Sequence, residues 1–107
     1  MTVSNTLYTL NSYTVNTDTD LVPAAPNFTM ASFLVVNNSG GVANVTATIT
    51  DGAGAALAVL LPAIDLADEE IKTLSINSIN VPATTHKIMV QASVAGVSFI
   101  ASGVVIT

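Results

Sequence analysis

The chain has 107 residues, of which 50% are hydrophobic and only 8% are charged, and its net charge is -5. A chain of this size fits one domain with a buried core, and the absence of cysteine excludes disulfides and thiolate chemistry. Lys72 and Lys87 are the only lysines and arginine is absent, so the chain lacks the basic cluster that nucleic-acid binding requires.

The apolar stretches of the chain are too short for a membrane-spanning helix, which needs roughly 20 apolar residues. The richest stretches, residues 31–36 and 55–63, are far shorter. Residues 1–6 have neither the basic region nor the apolar stretch of a secretory signal. We therefore expect a protein that is synthesised in the cytoplasm, is not secreted and does not enter a membrane.

β-Branched residues dominate the composition, with fourteen Val, fourteen Thr and eight Ile. Such side chains favour pleated strands, so the first prediction is an all-β fold. Residues 6–15 are predicted as the first strand. Residues 16–27 contain two prolines and two aspartates, which indicates a loop or an irregular edge segment.

Three strands are predicted next, at residues 28–37, 42–50 and 55–61, separated by glycine-containing turns. In the second of them alternation places Val45, Ala47 and Ile49 on one face. In the third, alternation points Leu57, Val59 and Leu61 inward. We expect these three strands to form a meander.

Residues 62–74 are the segment in which a helix competes with a strand. Pro62 suits a first helical position, and apolar residues recur at helical spacing from Ile64 to Leu74. No glycine ends this pattern, however, and the residues from Leu74 onward alternate. We therefore predict no helix here, and a loop at residues 77–85.

Two closing strands are predicted at residues 86–94 and 97–106. In the first, alternate side chains point inward: Ile88, Val90, Ala92 and Val94. About seven strands at spacings near ten residues predict a single-domain antiparallel β-sandwich, either Ig-like or jelly-roll-like.

The chemically reactive side chains are few. Asp18 with Asp20, and the acids of residues 65–70, lack the alternating oxygen ligands and glycine turn of a calcium loop. His86 is the only histidine and follows two threonines at a strand edge, which is typical of an exposed strand-end residue rather than a catalytic base. We predict no enzyme activity, no metal or other cofactor and no small-molecule substrate.

Several strand and turn segments carry a family resemblance: LVVNNSG at residues 34–40, VTATI at 45–49, VPA at 81–83, KIMVQAS at 87–93 and GVSFIASG at 96–103. Together they resemble a small class of tailed-bacteriophage virion β-sandwich proteins. The resemblance spans residues 28–107 in pieces. The chain departs from the family at residues 84–86, where a Gly-Asp turn is more usual.

The resemblance implies a structural virion protein. The favoured role is a capsid decoration (cement) protein on the outer surface of the head, where it binds the major capsid protein or other virion proteins as a homo-oligomer. A neck, tail or baseplate accessory role is the alternative. A bacterial surface or adhesion module built on the same sandwich also stays open.

Residues 1–22 extend beyond the resembling region and are predicted as an N-terminal strand or an extended arm, ahead of a sandwich domain at residues 23–107. Large apolar and aromatic residues concentrate binding energy, so four residues of this segment are candidate partner-binding residues: Leu7, Tyr8, Leu10 and Tyr13. In the alternative interpretation, residues 6–15 are the first strand of the sandwich itself.

Overall fold

The structure is a computed structural model that describes residues 2–23, 27–82 and 84–106, without the side chains of residues 75–78. These residues form eight strands and no helix: β1 (Val3–Leu10), β2 (Thr19–Val22), β3 (Asn27–Asn37), β4 (Ala43–Asp51), β5 (Ala56–Leu66), β6 (Ile71–Val81), β7 (His86–Ala92) and β8 (Val97–Ile106). The described part of the chain therefore contains no helix that could cross a membrane. The predicted all-β fold is confirmed, with eight strands in place of about seven.

The strands form two antiparallel four-stranded sheets that face each other as a β-sandwich. Sheet A has the order β1-β8-β3-β6 and sheet B the order β2-β7-β4-β5. In four strand pairs the two strand numbers add up to nine: β1 with β8, β2 with β7, β3 with β6 and β4 with β5. The chain is thus folded like one long hairpin that is rolled up, with β3 also beside β8 and β4 beside β7. This is the jelly-roll arrangement, one of the two predicted sandwich types.

The three strands predicted as a meander are divided between the two sheets, so that prediction is wrong. β3 lies in sheet A, whereas β4 and β5 lie side by side in sheet B. Residues 38–42 cross from one sheet to the other, with Gly40 at a φ of 90°, which glycine adopts without steric cost. Alternation marks the buried face of a strand but not its sheet, because the inner faces of both sheets point to one interior.

The interior between the sheets is filled by alternate side chains of the strands. In β7 every second side chain is buried, namely those of Ile88, Val90 and Ala92, and the residues between them are partly exposed. The predicted alternation is confirmed for this strand, although it ends at Ala92 and leaves Val94 only partly buried. The largest fully buried side chains of the described core are Phe28, Phe33, Phe99, Met30 and Leu66.

A bulge in β3 changes which side chains of that strand face the core. Before the bulge even-numbered residues such as Met30 are buried, and after it odd-numbered residues such as Phe33. Ala31 is the additional residue relative to β8. On β8, Gly103 lies so close to the bulge that a Cβ atom there would overlap the carbonyl oxygen of Thr29. Glycine at this position permits the close approach of two main chains.

The N-terminal half of β5 points its apolar side chains to solvent, contrary to the prediction. Leu57 is 53% and Val59 is 66% exposed, and only Leu61 of the three predicted core residues is buried. Three register shifts interrupt the pairing of β5 with β4, and such bulges break the regular alternation of a strand. β5 is also an edge strand with one neighbour, so fewer side chains are available to cover it.

Several predicted boundaries differ from the observed ones. The first strand begins and ends earlier than residues 6–15. Residues 16–27 are predicted as a loop or an irregular edge segment, and β2 within them is a short edge strand with a register shift. Residues 24–26 of that segment lie outside the described residues. β6 continues into the first half of the predicted loop at residues 77–85. These segments mix polar with apolar residues, and β2 and β6 lie at sheet edges, where solvent-facing positions tolerate polar side chains.

Candidate interaction surface

Tyr13, one of the four predicted partner-binding residues, is engaged within the protein. Its hydroxyl donates a hydrogen bond to the carbonyl oxygen of Val94 (2.7 Å) and accepts one from the amide of Val97 (3.0 Å). Its ring lies edge-on to that of Phe99, with the ring centroids 6.1 Å apart. Tyr13 therefore stabilises the end of the sandwich where β7 turns into β8.

Tyr8 and Leu10 also face the core, whereas Leu7 does not. The Tyr8 ring lies edge-on to Phe28 at a centroid distance of 5.0 Å, and burial raises the pKa of its phenol. Leu10 is partly buried against the core. Leu7 is 62% exposed because its side chain lies on the opposite face of β1. Of the four candidates, Leu7 is therefore the one that lies on the surface of the sandwich.

The described N-terminal residues belong to the sandwich rather than to an arm. β1 pairs with β8 without interruption, from Val3 opposite Ile106 to Leu10 opposite Phe99. β2 belongs to sheet B. The described residues of this segment thus form strands of both sheets, as in the interpretation that makes the first strand part of the sandwich itself.

His86 lies half-buried at the start of β7. Its Nδ1 atom is 2.9 Å from the hydroxyl oxygen of Thr85, and its amide donates a hydrogen bond to the carbonyl oxygen of Pro82 (3.2 Å). Thr85 is exposed in the turn that precedes the strand. Both contacts are local and join the turn to the beginning of β7.

The acidic side chains form separate local contacts. Asp68 accepts a hydrogen bond from the amide of Gly40 (3.0 Å), which links two turns. Asp20 forms an ion pair with Lys87, with Oδ1 3.1 Å from Nζ. Within the described residues, no three acidic or histidine side chains come together as a group that could hold a metal ion.

Asn37 is a buried polar residue at the end of β3, and the sequence pattern predicts only that a strand ends there. Its side-chain amide donates hydrogen bonds to the carbonyl oxygens of Gly41 (2.8 Å), Leu66 (3.0 Å) and Ala67 (2.9 Å). Its side-chain oxygen accepts one from the amide of Ser39 (3.1 Å). The side chain is fully buried, so Asn37 joins the β3–β4 connection to the turn after β5.

The outer face of sheet A carries only uncharged side chains among the described residues. One row crosses all four strands, from Thr9 through Ile100 and Leu34 to Thr73. The neighbouring rows add further apolar, hydroxyl and amide side chains: Val3, Asn5, Leu7, Thr29, Ser32, Val36, Ile71, Asn80, Ser98, Ser102, Val104 and Ile106.

Several apolar side chains of this outer face are exposed to solvent. Val3 is 56%, Leu7 62% and Ile71 60% exposed. A shallow groove of about 470 Å³ lies beside Leu7, where the β3 bulge brings Ala31 next to Gly103. The face thus combines apolar and hydroxyl groups without charge. The face shares its lack of charge with interface cores, which are also depleted in Lys, Glu and Asp but richer in aromatic residues.

The outer face of sheet B, in contrast, carries charged groups. Asp20 and Lys87 form their ion pair there, and Asp65 lies on the same face at the β5 edge. Within the described part of sheet A, Lys72 is the one charged residue on a strand. It lies opposite Val35, whose side chain faces the core, and so it does not belong to the outer face.

Comparison with known proteins does not assign this surface a role. No protein-family model and no curated protein matches this chain. The uncharged outer face of sheet A is therefore the candidate functional site on the grounds of its composition and exposure alone.

Proposed function

We propose that this protein is a structural virion protein of a tailed bacteriophage, a capsid decoration protein that docks onto the head through the outer face of sheet A. The observation that carries the proposal is the charge asymmetry of the sandwich. The described charges lie in turns, on sheet B or, for the exposed Lys72, on the core-facing side of the edge strand β6, while the outer face of sheet A has none. Desolvating such a face on binding leaves no charge unpaired.

The shape of the face suits a broad, shallow contact with another protein. Four strands of sheet A present rows of Thr, Ser, Val, Ile and Leu side chains, and the groove beside Leu7 is open and shallow. Contacts of this kind bury area through many small contributions and a few apolar anchors. A decoration protein repeats such a contact at equivalent positions of a capsid lattice, and an oligomer that makes two of these contacts at once binds more tightly than a single copy.

The jelly-roll topology agrees with the proposal at the level of fold. Double-sheet jelly rolls occur in viral capsid domains, and also in lectins and cupins. Because one fold serves many functions, the topology adds support only together with the resemblance to phage virion sandwiches. The proposal includes no catalytic step, no cofactor and no small-molecule substrate.

Binding to heads is tested by sedimentation of the protein with undecorated heads, followed by quantitation of the pellet. Ile71→Asp places a carboxylate on the proposed face at a residue that is 60% exposed, and we expect it to lose most of the bound protein. Val42→Asp is the matched control, because Val42 is 63% exposed in the β3–β4 connection, and we expect wild-type binding. Equal loss in both variants, or in neither, would contradict docking through this face.

The position on the virion is tested separately by immunogold labelling or a cryo-EM reconstruction of the intact particle. Density or label spread over the head agrees with the proposal. Label confined to the neck, tail or baseplate would instead establish the accessory role, and a protein found on the bacterial surface would establish the adhesion role.

A further inference from the structure

The four sheet edges of the sandwich differ in how well they are protected against pairing with another strand. The edges are β1 and β6 in sheet A and β2 and β5 in sheet B. An edge strand exposes unpaired main-chain amide and carbonyl groups, and proteins usually protect it with charges, proline, bulges or a very short strand. Three of these edges carry such features.

The protecting features can be assigned strand by strand. β2 has only four residues, a register shift and the Asp20–Lys87 ion pair. β5 contains Pro62 and three register shifts. β6 carries Lys72 and a register shift in its pairing with β3. Each feature hinders the addition of a further strand at that edge.

β1 has none of these features among its described residues. It spans eight residues, VSNTLYTL, without proline or a charged side chain. Its register with β8 is unbroken along the whole strand, so no bulge interrupts its edge. Val3 and Leu7 on its outer face are more than half exposed. β1 is therefore an uninterrupted edge of about 26 Å that can accept a further strand.

We propose that β1 pairs with β1 of a second copy of this chain, antiparallel and around a two-fold axis, so that two sheets A become one continuous eight-stranded sheet. A second copy fits for an electrostatic reason: the chain carries a net charge of -5, yet two β1 edges meet without any carboxylate facing another. The contact is also self-complementary, as a two-fold interface must be. It would cover part of Val3 and Leu7, the exposed apolar residues of the strand.

The two faces of β1 restrict the register of this pairing. Residues directly opposite in an antiparallel pair point to the same side of the sheet, so odd-numbered residues must meet odd-numbered ones for the outer faces to join. The sum of two paired residue numbers is then even, and one residue lies opposite itself on the two-fold axis. Two registers place the axis near the middle of the strand: in one Thr6 lies opposite itself, and in the other Leu7 does.

This inference goes beyond the proposed function, because it concerns association of the chain with itself and is tested without capsids. Its connection with that function is geometric: the outer face of sheet A in one copy continues into that of the other. Failure of the dimer would leave head binding open to test, and failure of head binding would leave the dimer intact.

The first test is the mass of the purified protein in solution, by sedimentation equilibrium up to the highest soluble concentration. We expect the wild type to be a dimer. We expect Leu7→Lys to have half that mass, because a charged side chain would lie between the two paired β1 strands. Val59→Lys is the matched control: Val59 is 66% exposed on the β5 edge, and its variant should stay dimeric. A monomeric wild type, a dimeric Leu7→Lys or a monomeric Val59→Lys overturns the proposal.

The second test uses the absence of cysteine in the chain. Opposite residues in an antiparallel pair have Cα atoms about 4.5 or 5.5 Å apart, within the range that a disulfide bridges. Under mild oxidation either Thr6→Cys or Leu7→Cys should form a covalent dimer in high yield, whereas Val59→Cys should not. Cross-linking no better at residues 6 and 7 than at residue 59 overturns the proposed register and the β1 contact.

Discussion

The side-chain amide nitrogen of Asn37 lies 3.0 Å from the carbonyl oxygen of Leu66, and this contact ties the end of β3 in sheet A to the end of β5 in sheet B. A side-chain amide carries two N–H hydrogens and an oxygen on one planar group. It can therefore donate hydrogen bonds to the neighbouring carbonyl oxygens and accept one from the amide of Ser39. The two sheets are thus joined by one buried amide as well as by their apolar faces.

Asn37→Asp should destabilise the protein strongly, by about 3 kcal/mol or more, because it replaces the donor with a buried carboxylate that faces several carbonyl oxygens. Asn38→Asp, one residue further on at an exposed position, should change stability by less than about 0.5 kcal/mol. Urea unfolding of both variants measures the difference. Similar midpoints for the two variants would contradict the role of Asn37.

Gly103→Ala should cost about 2 kcal/mol or more, because the added methyl group meets the main chain of Thr29 and Met30, which cannot move aside as a flexible side chain could. Gly41→Ala is the control, since no heavy atom lies within 4 Å of a Cβ at that position. Thermal unfolding of both variants checks the prediction. A wild-type melting temperature for Gly103→Ala would show that the β3 bulge relaxes easily.

Val90→Asp should cost several kcal/mol, about 3 or more, because Val90 is 1% exposed and a carboxylate there would be buried without a partner. Gln91→Asp changes the next residue, whose side chain faces outward, and should alter stability by less than about 0.5 kcal/mol. Denaturant unfolding of the pair tests the facing of β7. Equal effects would contradict it.

Alternation in the sequence predicts correctly which side chains are buried where a strand is regular, and incorrectly where the main chain departs from that regularity. The burial of Val90 is predicted correctly because β7 is a regular strand between β2 and β4. Alternation also predicts that Leu57 and Val59 face the core, but the register shifts of β5 and its edge position leave both side chains exposed to solvent. A bulge is a property of two paired strands, so the pattern of one strand does not reveal it.

The candidate surface could be predicted only in part for a similar reason. Leu7 was among the predicted contact residues, together with Tyr8, Leu10 and Tyr13, because all four have side chains that suit an interface. Separating Leu7 from Tyr8 and Leu10 requires knowing which face of β1 meets the core, and that face depends on the pairing with β8. Tyr13 lies beyond β1, and its contacts with Val94 and Val97 appear only in the folded chain. The absence of charge from the outer face also emerges only when four distant strands are placed side by side.

Tyr13→Phe should cost about 1 kcal/mol, because it leaves the carbonyl oxygen of Val94 and the amide of Val97 without their shared partner. Tyr8→Phe is the matched control: within the described residues the Tyr8 hydroxyl has no hydrogen bond, and its ring contact with Phe28 survives the change. We expect less than about 0.5 kcal/mol for Tyr8→Phe. The free energies of unfolding in urea provide the comparison, and a reversed order would contradict the structural role of Tyr13.

Asp51 should make stability depend on pH in the acid range. The amides of Ala55 and Ala53 donate hydrogen bonds to its carboxylate and hold its pKa below the ordinary value of 3.8. Because the pKa is lower in the folded state, the stabilisation is complete above the unfolded-state pKa and is lost as the pH falls through the folded-state pKa. The melting temperature of Asp51→Asn should therefore fall less than that of the wild type between about pH 4 and pH 2. Parallel profiles for the two proteins would contradict this account.

The rolled-hairpin pairing of the strands also has a consequence for the order of folding. β4 and β5 are joined by a turn of residues 52–55, whereas nearly the whole chain separates Val3 from its partner Ile106. The entropy lost on closing a loop grows with its length, so the central hairpin is the least costly pair to form and the β1–β8 pair the most costly. During synthesis β1 leaves the ribosome before the other described strands and its partner β8 leaves after them, so β1 waits longer for its partner than any other described strand.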